Sequence, residues 1–182
     1  MKGKIFNAQE VQAIIAGNKT MFREVLKVQP TNENQVFSTV ASSIRNKDIS
    51  THSFINPKAT WEQTKKFKCP YQVGQKIFVK ESFYIAWKKR PAQHMKQEHS
   101  RLTLEITDVK VERLQDISEE DARLEGFPVD HLGNYYEPSK LDPWQGYARA
   151  SFSLSWNPTH KKPEEKFYAN PFVWVVDFKI NK

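Results

Sequence analysis

Residues 101–114, RLTLEITDVKVERL, decide the fold. Leu102, Leu104 and Ile106 recur at every second position, and a side-chain period of two is the mark of a strand with one buried face. At Asp108 the phase slips by one residue, and Val109 and Val111 carry the apolar series onward. A slip inside a continuous strand predicts a bulge or bend, and a strand so bent belongs to a strongly coiled sheet such as that of a small barrel.

The flanking sequence supplies the partners. DISEEDARLEGF, residues 116–127, predicts a short helix with Ser118 as its N-cap, an acidic first turn of Glu119, Glu120 and Asp121, and Gly126 as its stop. Glu125 is its last side chain. Upstream, KIFVKESFY (76–84) reads as a strand with Ile77, Val79, Glu81 and Phe83 on one face. A carboxylate among apolar residues requires a cationic or hydrogen-bonding partner, because burying it unpaired is expensive. Arg23 is a candidate, as a structural ion pair or as a group oriented for a ligand. PFVWVVDFKI (171–180) is apolar on both faces and predicts a strand interior to a sheet.

Near the start, Asn7 and Glu10 form a capping-box pattern, flanked by Phe6 and Val11 and followed by Ile14, Ile15 and then Gly17. The helix therefore ends where AGNKTMFREVLK (16–27) begins, with Lys19, Thr20 and Arg23 beside apolar Met21, Phe22, Val25 and Leu26. Residues 29–75 read as a loop-rich insertion with one strand at QVFSTVAS (35–42), carrying Lys58, Lys65, Lys66 and Lys68. AWKKRPAQHMKQEHS (86–100) reads as an exposed basic loop. ARASFSLSW (148–156) predicts a helix packing Phe152 and Trp156, followed by an exposed loop at NPTHKKPEEK (157–166). Trp144, Trp156 and Trp174 are expected in the core.

Charge is distributed unevenly along the 182 residues: positions 1–96 hold 17 Lys/Arg against 6 Asp/Glu, and positions 97–182 hold 11 against 15. The halves carry +11 and −4. A basic surface of this kind suits a polyanion, since clustered Lys and Arg release counterions from a phosphate backbone. No apolar run approaches the ~20 residues of a membrane-crossing helix, and MKGKIFNAQEVQ lacks the apolar core of a signal peptide, so a cytoplasmic location is expected. Cys69 is the lone cysteine and is expected in a core or loop. Phosphate-loop, dinucleotide and zinc-protease motifs are absent, and His52, His94, His99, His131 and His160 show no metal-ligand spacing. No metal or other cofactor is expected.

Taken together, AGNKT (16–20), CPYQVGQKIFVKESF (69–83), the run from Ser100 to Phe127 and NPFVWVVDFK (170–179) resemble the ASCH domain, particularly its phage and prophage versions. The resemblance spans most of the chain as one domain, 1–182, with insertions at about 30–66 and 130–165. It implies an α+β, PUA-like fold: a small, strongly bent β-barrel with flanking short helices and a cleft associated with RNA or modified nucleosides. In a bacterial group of the family that removes the acetyl group from N4-acetylcytidine, the machinery is a Lys and a Thr of a GxKTxT segment with a Glu in the helix after the central strand; other members are reported as ribonucleases. Lys19 matches the Lys and Glu125 the Glu, while Phe22 stands where the nucleophilic Thr would be.

Two uses of these residues follow. In the binding reading the cleft takes RNA, a nucleotide or a modified nucleoside. Lys19 and Arg23 neutralise phosphate, Arg101, Lys88, Lys89 and Arg90 extend the basic track, Trp87 or Tyr84 stacks on a base, and Glu81 orients Arg23 or accepts from an amine. In the hydrolase reading Lys19 and Glu125 activate a water, or Thr20 replaces the missing hydroxyl. A protein-interaction or phage assembly role for the basic loops is the third possibility.

Overall fold

The computed structural model describes residues 1–30, 36–43, 48–55, 66–127 and 147–181. In chain order the elements are β1 (Lys2–Ile5), α1 (Ala8–Ile15), β2 (Met21–Val25), β3 (Val36–Ser43), β4 (Asp48–Ile55), β5 (Lys66–Lys68), β6 (Lys76–Lys80), β7 (Phe83–Ile85), β8 (Lys88–Arg90), β9 (Thr103–Arg113), α2 (Glu119–Leu124), α3 (Tyr147–Thr159) and β10 (Phe172–Ile180). They divide between two compact units, residues 1–25 with 73–182, and residues 26–72.

The first unit is α+β, as the sequence leads one to expect. Its sheet runs β1-β6-β9-β10-β2, with β1 and β6 parallel and the other pairs antiparallel. The phase slip at Asp108 is a β-bulge: Asp177 pairs with Asp108 and Phe178 with Ile106, leaving Thr107 as the extra residue. β10 sits between β9 and β2, which explains why both its faces are apolar. One face packs Met21, Val173 and Val175 against Leu114, Ile117, Ala122, Phe152 and Trp156, all buried. The other carries an aromatic cluster in which Phe22 lies 5.9 Å from Phe6 and 6.0 Å from Phe178, ring centre to ring centre. Trp174 is buried too, as expected, whereas Trp144 lies outside the described residues.

The barrel takes an open form. Backbone pairing leaves β1 and β2 as the two edges, and side chains span the seam: Lys4 Nζ lies 2.5 Å from Glu24 Oε2 and 4.6 Å from the centre of the Phe22 ring.

Local signals in the sequence hold well. Asn7 accepts from the Glu10 backbone N–H at 2.9 Å while Glu10 Oε2 accepts from the Asn7 N–H at 2.8 Å, closing the capping box. Ser118 caps α2 through the Asp121 N–H at 3.0 Å. Three expectations change. Beyond its one foreseen strand, the insertion carries a three-stranded antiparallel sheet, β3-β4-β5. β4, DISTHSFI, is rich in Ser, Thr and His, so hydrophobic alternation scarcely marks it. The strand foreseen at 76–84 breaks after Lys80, and Phe83–Ile85 joins a separate hairpin. The basic loop at 86–100 supplies the other half of that hairpin and buries Met95.

Candidate functional site

Two helix ends meet beside β2, each stopped by a left-handed glycine. After α1 the chain turns at Gly17, φ 78°, and the Asn18 and Lys19 N–H groups donate to the Ala13 carbonyl at 2.8 and 3.1 Å. After α2 it turns at Gly126, φ 95°, where a Cβ would lie 3.3 Å from Ala13 Cβ and 3.4 Å from Lys19 Cβ. Glycine is needed there for both the backbone angle and the close approach. A β-bridge joins Lys19 to Glu125, and the Thr20 N–H donates to the Leu124 carbonyl at 2.9 Å.

This junction aims charged side chains at one another. Lys19, with 2 % of its side chain exposed, donates to Glu125 Oε2 and to the Glu125 backbone carbonyl, both at 2.8 Å. The ammonium therefore sits at the C-terminal end of α2, where the helix dipole favours a cation. Glu10 Oε1 stands 3.6 Å away, so the capping carboxylate also faces Lys19.

Arg23, fully buried in its side chain, donates from Nη1 to Glu125 Oε1 at 3.0 Å, from Nη2 to Asp121 Oδ2 at 2.8 Å, and from Nε and Nη2 to Glu112 Oε1 at 3.0 and 2.6 Å. Burial opposes its charge, but Glu125 and Glu112 outweigh that and hold its pKa above the ordinary arginine value. Each nitrogen of the guanidinium is thus committed to a carboxylate. Arg23 holds Glu125 in place and also lines the adjoining cleft, while its foreseen partner Glu81 is elsewhere: Glu81 takes a two-pronged contact from Arg101, at 2.7 and 3.0 Å.

The cluster opens into a cleft of about 330 Å³ lined by Lys19, Glu125, Glu10, Phe22, Phe127 and Trp156, among others. Thr20 does not line it. The cleft ends near the seam, where Lys4 and Glu24 form part of its wall. Trp156 contributes an edge although it is buried, and its ring stacks on that of His160 at 3.9 Å with an angle of 10° between planes. Sequence reasoning missed Glu10, Trp156 and His160 as site residues. Glu10 had a recognised capping role, and nothing in a helical period shows that a core Trp reaches a cleft. Trp87, Lys88, Lys89 and Arg101 lie away from this lining. Among the described residues no group of three or more His, Cys, Asp or Glu is placed to hold a metal ion, and no helix is long and apolar enough to cross a membrane.

One carboxylate beside the cluster is poorly served. Asp177 Oδ1 is buried and has no hydrogen-bond partner among the described residues. Burial raises its pKa, Lys110 opposes the rise, Asp108 and Asp121 add to it, and Arg23 opposes it. With the folded pKa above the unfolded one, the ionised carboxylate costs stability, and stability is regained as pH falls through the folded value. Asp177→Asn is therefore expected to melt higher than the parent at pH 7, and the gain should shrink as the pH of the melt is lowered. A gain that persists unchanged at acid pH removes ionisation as its cause.

No family model and no curated protein matches the chain. Solved structures similar to it include two crystal structures. A DUF984-family protein from Enterococcus faecalis shares 13 % identity over 99 % of this chain and 80 % of its own, with a TM-score of 0.45. An ASCH domain from Lactobacillus crispatus shares 18 % identity over 98 % of this chain and 78 % of its own, with a TM-score of 0.39.

Proposed function

We infer that this chain is an ASCH-type protein that binds a nucleoside or nucleotide unit of RNA in the cleft beside Lys19 and Glu125. The observation that carries the reading is the meeting of those two side chains, 2.8 Å apart, in a cleft with aromatic walls. Its volume suits a small ligand, and charged and polar groups set among aromatic side chains are what fix a ligand's orientation. Phe22, Phe127 and Trp156 offer aromatic surface to a base, and the Glu125 carboxylate accepts from an exocyclic amine. A phage or prophage setting and a cytoplasmic location belong to the same reading.

The adjacency of Lys19 and Glu125 also favours a second reading, hydrolysis of an acylated nucleoside by a water that the pair activates. One titration separates the two. Purified protein is mixed with cytidine or N4-acetylcytidine, and binding is followed by calorimetry and acetate release by NMR. Saturable binding without acetate, lost in Lys19→Met, is expected. Acetate release abolished by Glu125→Gln would establish the hydrolase instead, and neither binding nor release at millimolar nucleoside would remove both.

A further inference from the structure

We propose that the β7–β8 hairpin is a second binding site, a stacking finger for single-stranded nucleic acid, separate from the cleft. The two strands pair Phe83 with Arg90, Tyr84 with Lys89 and Ile85 with Lys88, so every aromatic or aliphatic residue of one strand faces a cation on the other. The tip is Ala86–Trp87. Trp87 is 98 % exposed and Tyr84 69 %, while Lys88, Lys89 and Arg90 are all exposed. A free indole flanked by cations suits a strand whose bases stack and whose phosphates pair with the neighbouring charges.

The backbone gives a second reason. Ala86 and Trp87 both have positive φ, 47° and 66°. A two-residue hairpin loop with that geometry favours Asn-Gly or similar pairs, because other side chains are strained there. An alanine and a tryptophan hold this loop at a cost, and strain of that kind collects at functional positions. Its effect here is to carry the indole outward beyond the end of the hairpin.

The root is firm. Arg101 is held by both oxygens of Glu81, immediately before β7, and the Phe83 ring stacks on His99 at 5.4 Å. Behind the hairpin lies a hollow of about 370 Å³ lined by Phe83, Ile85, Arg90, Pro91 and His94. A membrane surface is the competing occupant for exposed Trp and Lys. The cations here run the length of the hairpin beside the rings, so inserting the tip into hydrocarbon would bury charge.

The test uses the full chain and a fluorescent ten-nucleotide oligouridylate, with anisotropy read across a salt series. Trp87→Ala is expected to weaken binding about tenfold, in keeping with the loss of one stacked base. Lys88→Ala/Lys89→Ala is expected to lower the slope of log affinity against log salt by about one to two. Ala86→Asn/Trp87→Gly relieves the turn, so it is expected to raise the melting temperature by about 2–4 °C while losing affinity like Trp87→Ala. Higher stability with lower affinity excludes misfolding as the cause of the loss. Oligouridylate affinity unchanged in Trp87→Ala overturns the proposal, as does Trp87-dependent binding to phosphatidylserine vesicles without binding to the oligonucleotide. A nucleoside that fails to enter the cleft leaves the outcome untouched, because none of these variants lies in its lining.

Discussion

Arg23→Ala is expected to lower the unfolding free energy by about 3–5 kcal/mol, the cost of breaking a buried ion pair from one side. The side chain touches Glu112, Asp121 and Glu125, and none of it is exposed to solvent. Removing the guanidinium leaves three carboxylates facing one another around the cavity where it lay. A domain's whole stability is of order 5–15 kcal/mol, so the variant will stand near the threshold of folding. Arg23→Lys should recover only a small part, since an ammonium cannot reproduce the planar fork that binds three acids at once. Urea unfolding followed by tryptophan fluorescence measures both variants. A loss below about 1 kcal/mol in Arg23→Ala would show that the carboxylates find water or protons on their own.

Phe22→Thr is the second large effect, and it bears on chemistry as well as stability. It restores the hydroxyl that the resemblance drawn from the sequence implies at this position. The ring it removes packs on Phe6 and Phe178 under the Lys4 ammonium. By comparison with other large-to-small core changes, the loss should be about 3–5 kcal/mol. No acetate release from N4-acetylcytidine is expected to appear. Phe22 lines the cleft with Lys19 and Glu125, but its ring packs on Phe6 and Phe178, and a nucleophile even slightly misplaced loses most of its rate. Turnover in this variant that Glu125→Gln abolishes would overturn that expectation and place the hydroxyl within reach of the pair.

Much of the fold was legible because its signals are local. The cap at Asn7, the stops at Gly17 and Gly126, the doubly apolar β10 and the bulge in β9 each rest on residues within one turn or one strand. The second sheet was less legible: β4 runs Ser50, Thr51, His52 and Ser53 between Ile49 and Phe54, so period-two contrast is weak. At the site, Lys19 and Glu125 were named through the family resemblance, and the structure brings them together. Arg23 was named as well, but its charge pointed to a ligand, whereas three acids already claim it. Two of those acids, Glu112 and Asp121, gave no separate signal. Their meeting with Arg23 depends on β9, β2 and α2 converging in space, and sequence spacing carries no record of that.

The contact between Lys19 and Glu125 joins residues 106 positions apart. No fragment of the chain can present both, so the cleft exists only when the discontinuous unit is assembled from its two ends. Any ligand of that cleft then binds the folded chain and spares the unfolded one. At one hundred times its dissociation constant it adds about 2.7 kcal/mol to the stability of the whole unit. The unit's melting temperature thus becomes a reporter for the missing ligand, and a library of nucleosides can be screened by heat alone, with no assumption about what reaction, if any, follows binding.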